Sequence, residues 1–544
     1  MFSMADTAAT DVQVAYVPEM PKLTGRIQIF TDLSTKELET EKTMREELER
    51  VLDIHWVNVL AIRFLQNYYK GIHPAIRDRR KKVRPDVDNK IVVNYAYSAT
   101  RDITGYFLGK SVRYVHRGSV KQSEAEAGTE ASSGKRTQVE RLNHIFDIEN
   151  KAKVDWDIAL NMSINGVGYR GIFSEENPRN GTHISVNSLN PETTFVVYSS
   201  GNMNIPMFAV SYWTNNVSAT EAKKTFVRVY TQTKQYDYTV DGDMVANGPL
   251  ASSNGFTHTG TTDISFNGSL PIIEYCNNAY RMGDWEVAIP LMDGIDTLAS
   301  DGVNDIEQFV QSVLVAIGIE FDETTEDTLN RVGVLNVAQL PPGMDYAPVI
   351  QYISPQLDPQ SGINMREYLE SSLRVVIGVP DRKTRGGGGG DTGDAVYLRD
   401  GWQDIDLVAA NKENSFIQAE REALNIALFI LKQNDELTDE IEPSDVEIKF
   451  NRNKTSNIQS KAQVLQILWS MLDPSDALDI CDLTTNVEDV IIRAEQYQQK
   501  RLQNQLREQE EVSKVAAKFD DGNAANANTG SQPKTKNNSD EGKQ

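Results

Sequence analysis

Apolar residues recur at helical spacing early in the chain, and turn-forming residues separate them into two predicted helices. The first helix is predicted from Ser34 to about Tyr69, and Ser34 and Glu37 form a capping-box pair at its start. Gly71 follows it, and a second helix is predicted over residues 90–107. Between the two helices lies a basic cluster, made of Arg77, Arg79, Arg80, Lys81, Lys82 and Arg84.

The pattern then changes from helical to extended. Residues 121–136 are polar and rich in Gly and Ser, which predicts a loop, and a helix is predicted over residues 139–165. Up to residue 280, β-branched and aromatic residues alternate between turns, in the runs ISVNSL, TTFVVYS, MFAVSYW, TFVRVYTQT and QYDYTV. Asp241-Gly242 is the predicted hairpin turn. Together these elements predict an α+β lobe.

Long helices return in the second half. A helix predicted over residues 284–317 contains no Lys or Arg but seven acids: Asp284, Glu286, Asp293, Asp296, Asp301, Asp305 and Glu307. Short strands are predicted over residues 319–357, then helices over 363–377 and 395–431 and a strand over 446–450. Two or three helices are predicted up to about residue 500, and composition predicts disorder from about Glu508.

A basic and glycine-rich segment separates two of these helices. Its residues are Arg382, Lys383, Thr384, Arg385, Gly386, Gly387, Gly388, Gly389 and Gly390. Five consecutive glycines are too costly for a helix interior, so they predict a loop or hinge. The segment could be an ordinary linker. Alternatively, a locally basic loop in an acidic protein could contact a polyanion without binding it tightly.

Charge and composition narrow the function. The 544 residues carry a net charge of −23, whereas a protein that grips nucleic acid by its phosphates normally shows a basic face. The two cysteines, Cys276 and Cys481, predict neither a disulfide framework nor a zinc site and favour a reducing cytosol. The first residues do not have the pattern of a secretory signal, and no apolar run predicts a membrane span.

No motif predicts catalysis. The segment Gly105–Ser111 resembles a phosphate-binding loop, but it has three residues between its glycines instead of four and follows a helix. The six histidines have no partner at metal-ligand spacing, and no nucleophile elbow is present. We therefore expect no cofactor, no metal and no enzyme activity.

The order of elements resembles the portal proteins of tailed double-stranded-DNA bacteriophages, in the siphophage branch of Gram-positive hosts. The resemblance covers about residues 68–495 and rests on loose motifs. These are Tyr68-Tyr69-Lys70-Gly71, residues 89–94 (NKIVVN), 105–110 (GYFLGK), 270–273 (LPII) with Asn277-Asn278, 293–307, 368–381, 392–396 (TGDAV) and 450–453 (FNRN). Ser111, Val396 and the five glycines depart from the family pattern.

The resemblance implies an α+β portal fold with wing, stem, clip and crown, in a ring of twelve subunits at one capsid vertex. The implied parts are an N-terminal arm (1–31), wing (32–283), stem helices (284–318 and 358–380), clip (319–357), tunnel loop (381–394), long wing helix and return strand (395–451), crown (452–500) and tail (501–544). The implied partners are double-stranded DNA, the terminase large subunit, major capsid and scaffolding proteins and a head–tail adaptor, with no membrane. The implied location is the virion, and the host cytoplasm during assembly.

The implied ring passes a geometric test. Helices pack about 9 Å apart, so twelve in a ring give a circle of roughly 34 Å between axes. Subtracting one helix diameter, about 10 Å, leaves a bore of about 24 Å. This bore admits a duplex of roughly 20 Å, and an acidic wall would repel its phosphates. Alternatively, the acids of the stem helix face solvent outside the ring.

Two other functions stay open at the level of sequence. One is a capsid-associated structural protein with no channel. The other is a nucleotide-dependent enzyme that uses Gly105–Ser111.

Overall fold

The computed structural model describes residues 25–81, 87–109, 111–117, 130–176, 181–215, 223–249, 255–310, 313–317, 334–337, 349–353, 359–381, 402–438, 441–450, 458–472, 474–481 and 487–524. The chain forms two compact units, residues 1–455 and residues 456–544. None of the helices in these ranges is long and apolar enough to span a membrane.

The helices are α1 (Thr35–Leu38), α2 (Glu41–Tyr69), α3 (Pro74–Arg77), α4 (Tyr95–Phe107), α5 (Glu130–Ile148), α6 (Lys151–Asn165), α7 (Met244–Asn247), α8 (Ile289–Val310), α9 (Pro359–Ile377), α10 (Trp402–Gln433), α11 (Ile458–Leu468), α12 (Pro474–Cys481) and α13 (Val487–Ala524). The strands are β1 (Ile29–Thr31), β2 (Arg113–His116), β3 (Val167–Ser174), β4 (Ile184–Leu189), β5 (Thr194–Ser199), β6 (Pro206–Thr214), β7 (Lys224–Thr231), β8 (Lys234–Asp241), β9 (Thr257–Asp263), β10 (Ile272–Cys276), β11 (Val313–Ile317), β12 (Val334–Val337), β13 (Val349–Ile353) and β14 (Val446–Lys449). Helices and sheets are both present, which confirms the α+β prediction.

A six-stranded sheet forms the first core of unit 1. Its order is β1-β5-β6-β7-β8-β9, and β1 pairs in parallel with β5 while the other pairs are antiparallel. The apolar side of α2, including Met44, Leu48 and Val51, packs on sheet residues such as Phe195 and Phe208. Because β1 belongs to this sheet, the predicted N-terminal arm (1–31) is too long at its carboxyl end.

A second core gathers helices around a small sheet of order β10-β3-β4. The long helix α10 crosses this sheet, and the Phe416 ring on α10 lies 4.7 Å from the Tyr275 ring on β10. Helices α4 and α6 pack on the same core through Phe107 and Ile158. The sequence predicted this helix from residue 395; it is described from Trp402, and residues 395–401 lie outside the described ranges.

Several predicted boundaries were wrong. The first helix is interrupted at residues 39–40, between α1 and α2, although the Ser34–Glu37 capping box is present. Residues 130–136, predicted as loop, belong to α5. Asp241 and Gly242 do not form a hairpin turn: β8 ends at Asp241, and the β7–β8 turn is made by residues 232–233.

The first stem helix is shorter than predicted. Helix α8 ends at Val310, and residues 313–317 form β11, the central strand of a three-stranded sheet with β12 and β13. The run VLVAI is rich in β-branched residues, which favours a strand over the end of a helix. The predicted stem segment 284–318 therefore includes a strand that pairs with the predicted clip.

Unit 2 consists of α11, α12 and α13 in the part that is described. Helix α13 extends to Ala524, so the prediction of disorder from Glu508 was wrong for residues 508–524. This stretch contains many Gln, Glu, Lys and Ala residues, which have high helix propensity. Residues 525–544 of the predicted tail lie outside the described ranges.

Candidate functional site: the stem helix and its anchors

Helix α8 follows a short 3-10 turn at Glu286–Ala288 and begins inside the second core. Trp285 is fully buried at this junction, and its indole N–H donates to Thr100 Oγ1 at 2.9 Å. Met292 and Ile295, one turn apart on α8, are fully buried as well. The first half of the stem helix is thus held by the wing core.

Glu286 is an anchor and not a surface acid. It is completely buried, and its Oε1 forms an ion pair with Arg26 at 2.5 Å. Its Oε2 accepts the main-chain N–H of Gly283 at 2.9 Å. Arg26 also donates to the main-chain oxygen of Asn165 at 3.0 Å. Burial lowers the pKa of Arg26, and the attraction of Glu286 opposes that shift.

Asp284 is the second anchor. Its Oδ2 lies 2.7 Å from Lys412 Nζ on α10, and both side chains are nearly excluded from solvent. Its Oδ1 accepts the Asn277 amide at 2.9 Å. This pair ties the start of the stem to the long helix of the wing.

Asp296, Asp293 and His73 form a third anchor with Tyr68. His73 Nδ1 lies 2.5 Å from Asp296 Oδ2, and both side chains are fully buried. His73 Nε2 faces the main-chain oxygen of Tyr68 at 3.1 Å, and the two rings stack with centroids 3.7 Å apart. The Tyr68 hydroxyl donates to Asp293 Oδ1 at 2.9 Å, while burial raises the pKa of Asp293.

An extended segment, residues 89–93, lies along the flank of α8. Val93 N donates to Asp296 Oδ1 at 2.7 Å, Ile91 N to Ser300 Oγ at 3.0 Å, and Asn89 N to Asn304 Oδ1 at 2.7 Å. We call residues 89–93 the strap. Side chains four apart on a helix repeat every 6 Å, close to the two-residue repeat of an extended chain. The row of polar side chains on α8 therefore matches the strap's alternate amides.

The three remaining acids lie toward the end of α8. Asp301 forms an ion pair with Arg79 at 2.9 Å. The side-chain amide of Asn89 donates to Glu307 Oε2 at 2.5 Å. Asp305 and Glu307 are exposed, and Asp301 is half-buried. Of the seven predicted stem acids, Asp284, Glu286 and Asp296 are inside the chain and present no charge to a passing polyanion. That correction follows from their burial.

The second stem helix, α9, carries a charged row on its inner side. Glu370 is buried and binds Arg366 at 2.8 Å, and burial and Glu370 together raise the pKa of Tyr95 to about 12. Arg374 forms an ion pair with Asp381 at 2.9 Å. Asp381 is the first residue of the predicted tunnel loop (381–394) and the only one that lies within the described ranges.

The wing core contains a buried charge network that the sequence reasoning missed. Arg170 on β3 lies between Asp155 on α6 and Glu420 on α10, and its Nη1 donates to Glu420 at 2.7 Å. Lys151 contacts both carboxylates, at 2.7 and 2.8 Å. Two cations therefore balance two anions, and the four residues come from three separate elements. No local motif could have indicated this.

Comparison with known proteins decides the family. A family model described as phage portal protein, SPP1 Gp6-like, matches residues 48–512. The chain belongs to this portal family. The match covers most of the chain. The boundaries of wing, stem, clip and crown stay a prediction of the sequence. A search of curated proteins gives no match.

The portal family is structural and non-enzymatic. The segment that the nucleotide-binding alternative would use does not have the geometry of a phosphate-binding loop in its described residues. Gly105 lies within α4, and the amide of Leu108 is already bound to Thr104 O at 2.9 Å. These main-chain groups follow helical hydrogen bonding and do not curl around a phosphate. Lys110 lies outside the described residues.

Among the described residues, the fold brings together one group of side chains that could ligate a metal. Ligand atoms of His73, Asp293 and Asp296 lie within 4.8 Å of one another. The hydrogen bonds with Tyr68 and Val93 account for this cluster as part of the stem anchor. The sequence reasoning missed it because His73 and Asp296 are far apart in the chain, although the polar row Asp296, Ser300, Asn304 was a visible signal.

The predicted DNA contacts of the tunnel loop lie outside the described residues. They are Arg382, Lys383, Thr384, Arg385 and Gly386 to Gly390. Their role stays a prediction of the sequence.

Proposed function

We propose that this portal chain closes into a ring of twelve subunits at one capsid vertex and forms the channel for packaging and ejection of double-stranded DNA. The proposed docking partners are the terminase large subunit and, later, the head–tail adaptor, both at the clip. Major capsid and scaffolding proteins would surround the ring. Its proposed location is the virion, and the host cytoplasm during assembly.

One observation carries the proposal: α8 is a long helix without a basic residue, fixed to the wing by three sets of buried polar contacts. Arg26–Glu286, Lys412–Asp284 and His73–Asp296 all act on its first two turns or the turn before it. A helix anchored in this way suits the wall of a rigid conduit. Its far end, with Asp305 and Glu307, is exposed.

The electrostatics suit passage better than binding. A protein that holds DNA neutralises phosphates with Lys and Arg, and each contact strengthens binding. The exposed end of α8 offers carboxylates instead, and Arg79 beside it is already paired with Asp301. Repeated around a ring, Asp305 and Glu307 would repel the duplex from the wall, so that it slides.

The energy for packaging would come from a separate terminase that hydrolyses ATP. This division of labour agrees with the non-enzymatic family and with the helical geometry of Gly105. The portal would then act as a conduit and an assembly platform.

The tunnel loop is the proposed point of DNA contact. It starts at Asp381, which forms an ion pair with Arg374 of α9, and it precedes α10 in the sequence. Arg382, Lys383 and Arg385 would touch phosphates, and Gly386 to Gly390 would let the loop follow the moving duplex.

Replacing all five glycines by alanine should impair packaging while rings still form. Alanine favours helix over glycine by about 1 kcal/mol per residue, so the loop would stiffen. The amount of nuclease-protected DNA per capsid would be measured in a phage whose only portal protein is the variant. We expect a severalfold loss.

A matched control keeps the flexibility. Gly387→Ser with Gly389→Ser gives an alternating Gly/Ser segment, which remains a flexible chain, and packaging should be unchanged. If the five-alanine variant also packages normally, the loop has no part in the mechanism.

A further inference from the structure

A groove of about 670 Å³ runs between the two cores of unit 1. Helix α10 lines one side with Gln418 and Glu422, and the β5–β6 connection lines the other with Met203 and Ile205. Met203 is 82% exposed and Ile205 46% exposed at the rim. Packed protein interiors rarely leave voids larger than a water molecule, so a space of this size is a surface feature.

The wall of the groove includes a free strand edge. Among the described strands, β10 is at the edge of its sheet and pairs with β3 alone. Pro271 O and Asn277 N bind the β3 side, so the main-chain groups of Ile272, Glu274 and Cys276 point the other way. These three residues line the groove, and the hydrogen bonds of the described residues give their main-chain N–H and C=O groups no partner.

Such an edge is a template for one more strand. An extended peptide can pair with it through main-chain hydrogen bonds and place alternate side chains in the groove. Val196, Leu270, Ile273 and Ile426 form a buried apolar floor, and Met203 and Ile205 are the exposed apolar side chains at the rim. The occupant should therefore be a short extended segment with apolar side chains at alternate positions.

The chain enters the described structure close to this edge. Gly25, with φ +83°, packs so tightly on Tyr280 that a Cβ would lie 1.9 Å from Tyr280 O. The neighbouring Arg281 forms an ion pair with Glu274 of β10 at 3.0 Å. Arg26 is held by its buried pair with Glu286. Arg26 N also donates to Arg281 O at 3.2 Å, so the point from which residues 1–24 depart lies beside the residue whose side chain reaches β10.

We propose that residues Val12–Val17 of the same chain occupy this groove and pair with the outer edge of β10. Their sequence, VQVAYV, alternates Val12, Val14 and Tyr16 on one side with Gln13, Ala15 and Val17 on the other. Pro18 follows, and proline is found at strand ends because it cannot donate to a ladder. This inference does not depend on the proposed function.

The length of the connection favours the chain's own segment. Residues 18–24 can span at most about 25 Å when fully extended. That reach covers the separation that the Arg281–Glu274 ion pair bridges. It also keeps the local concentration of the segment high, which favours pairing within the chain over capture of a separate peptide.

Photo-crosslinking of the full-length protein tests the proposal. p-Benzoylphenylalanine in place of Met203 puts a reactive group at the groove rim. After irradiation and trypsin digestion, we expect position 203 to be joined to the peptide of residues 1–22, in a product that migrates as a single chain. Val14→Pro should lower that yield roughly fivefold, the factor expected for one lost main-chain hydrogen bond.

Two controls make the result specific. Ala8→Pro changes the arm outside the pairing segment and should leave the yield unchanged. The same photoreactive residue in place of Trp213, which is exposed on β6 away from the groove, should not capture residues 1–22. A crosslink from position 203 to any other segment, a product of two chains, or no product would each overturn the assignment.

Discussion

At the residue scale, the buried charges of the second core are balanced by charges of opposite sign. Arg170 and Lys151 face Asp155 and Glu420 in the wing core, where all four side chains are nearly free of solvent. Removing one member of such a group leaves an uncompensated charge that cannot reach water. The cost therefore exceeds the net value of any one pair.

Glu420→Gln tests this balance. The variant keeps the shape of the side chain but leaves Arg170 and Lys151 with one carboxylate between them. We expect a loss of about 3 kcal/mol or more in the free energy of unfolding. Thermal or denaturant unfolding would measure it, and Glu422→Gln, an exposed position on the same helix, should change stability by less than about 0.5 kcal/mol.

The same variant should also alter the response to acid. Burial alone would raise the pKa of Glu420, yet Arg170 and Lys151 outweigh it and lower that pKa to about 2. A carboxylate with a folded pKa below its usual 4.5 adds stability above pH 4.5, and that stability is lost as the pH falls toward 2. Asp155, whose pKa burial raises, acts in the opposite direction. Stability should fall less steeply below pH 4.5 in Glu420→Gln than in the natural chain; an equal slope would contradict the assignment.

At the scale of elements, the strap explains the acids and polar residues of α8. Asp296, Ser300 and Asn304 share one side of the helix and bind the amides of alternate strap residues. Part of the acidic and polar character of α8 therefore serves to bind the strap. Only its end remains available for an electrostatic role.

Asn304→Ala should release the end of the strap. It removes the acceptor of the Asn89 amide, which costs about 1 kcal/mol for one hydrogen bond. We expect faster hydrogen exchange at Asn89 with little change in the core of α8, measured by mass spectrometry. Asp305→Asn, on the exposed side of the same helix, is the matched control. Equal exchange at Asn89 in both variants would show that Asn304 does not hold the strap.

These elements also show what the sequence could predict. The α+β class, the long helices and most strands of the lobe followed from the sequence pattern, since the first residues of β7 alternate and β6 is a run of apolar and aromatic residues. Residues 90–94 were wrongly assigned to a helix because their amides bind side chains of α8, about 200 residues later. The anchors of Asp296 and Glu286 depend on equally distant partners, His73 and Arg26, so local patterns could not reveal them.

At the scale of the whole molecule, a net charge of −23 per chain makes close assembly costly unless the contacts are specific. Two inner acids of α8 and the turn before it reduce this cost, because Asp284 and Glu286 pair with Lys412 and Arg26 within the chain. The exposed pair, Asp305 and Glu307, would then be the charge that each subunit contributes to the channel wall. In this account the ring is rigid at the stem and adaptable at the tunnel loop.

Electron microscopy of the purified full-length protein tests the central claim most directly. The account predicts rings of twelve subunits, viewed along the axis, with a central hole of about 24 Å set by helices packed side by side. A particle that remains a single chain, or a closed assembly of many chains without a hole, would contradict it.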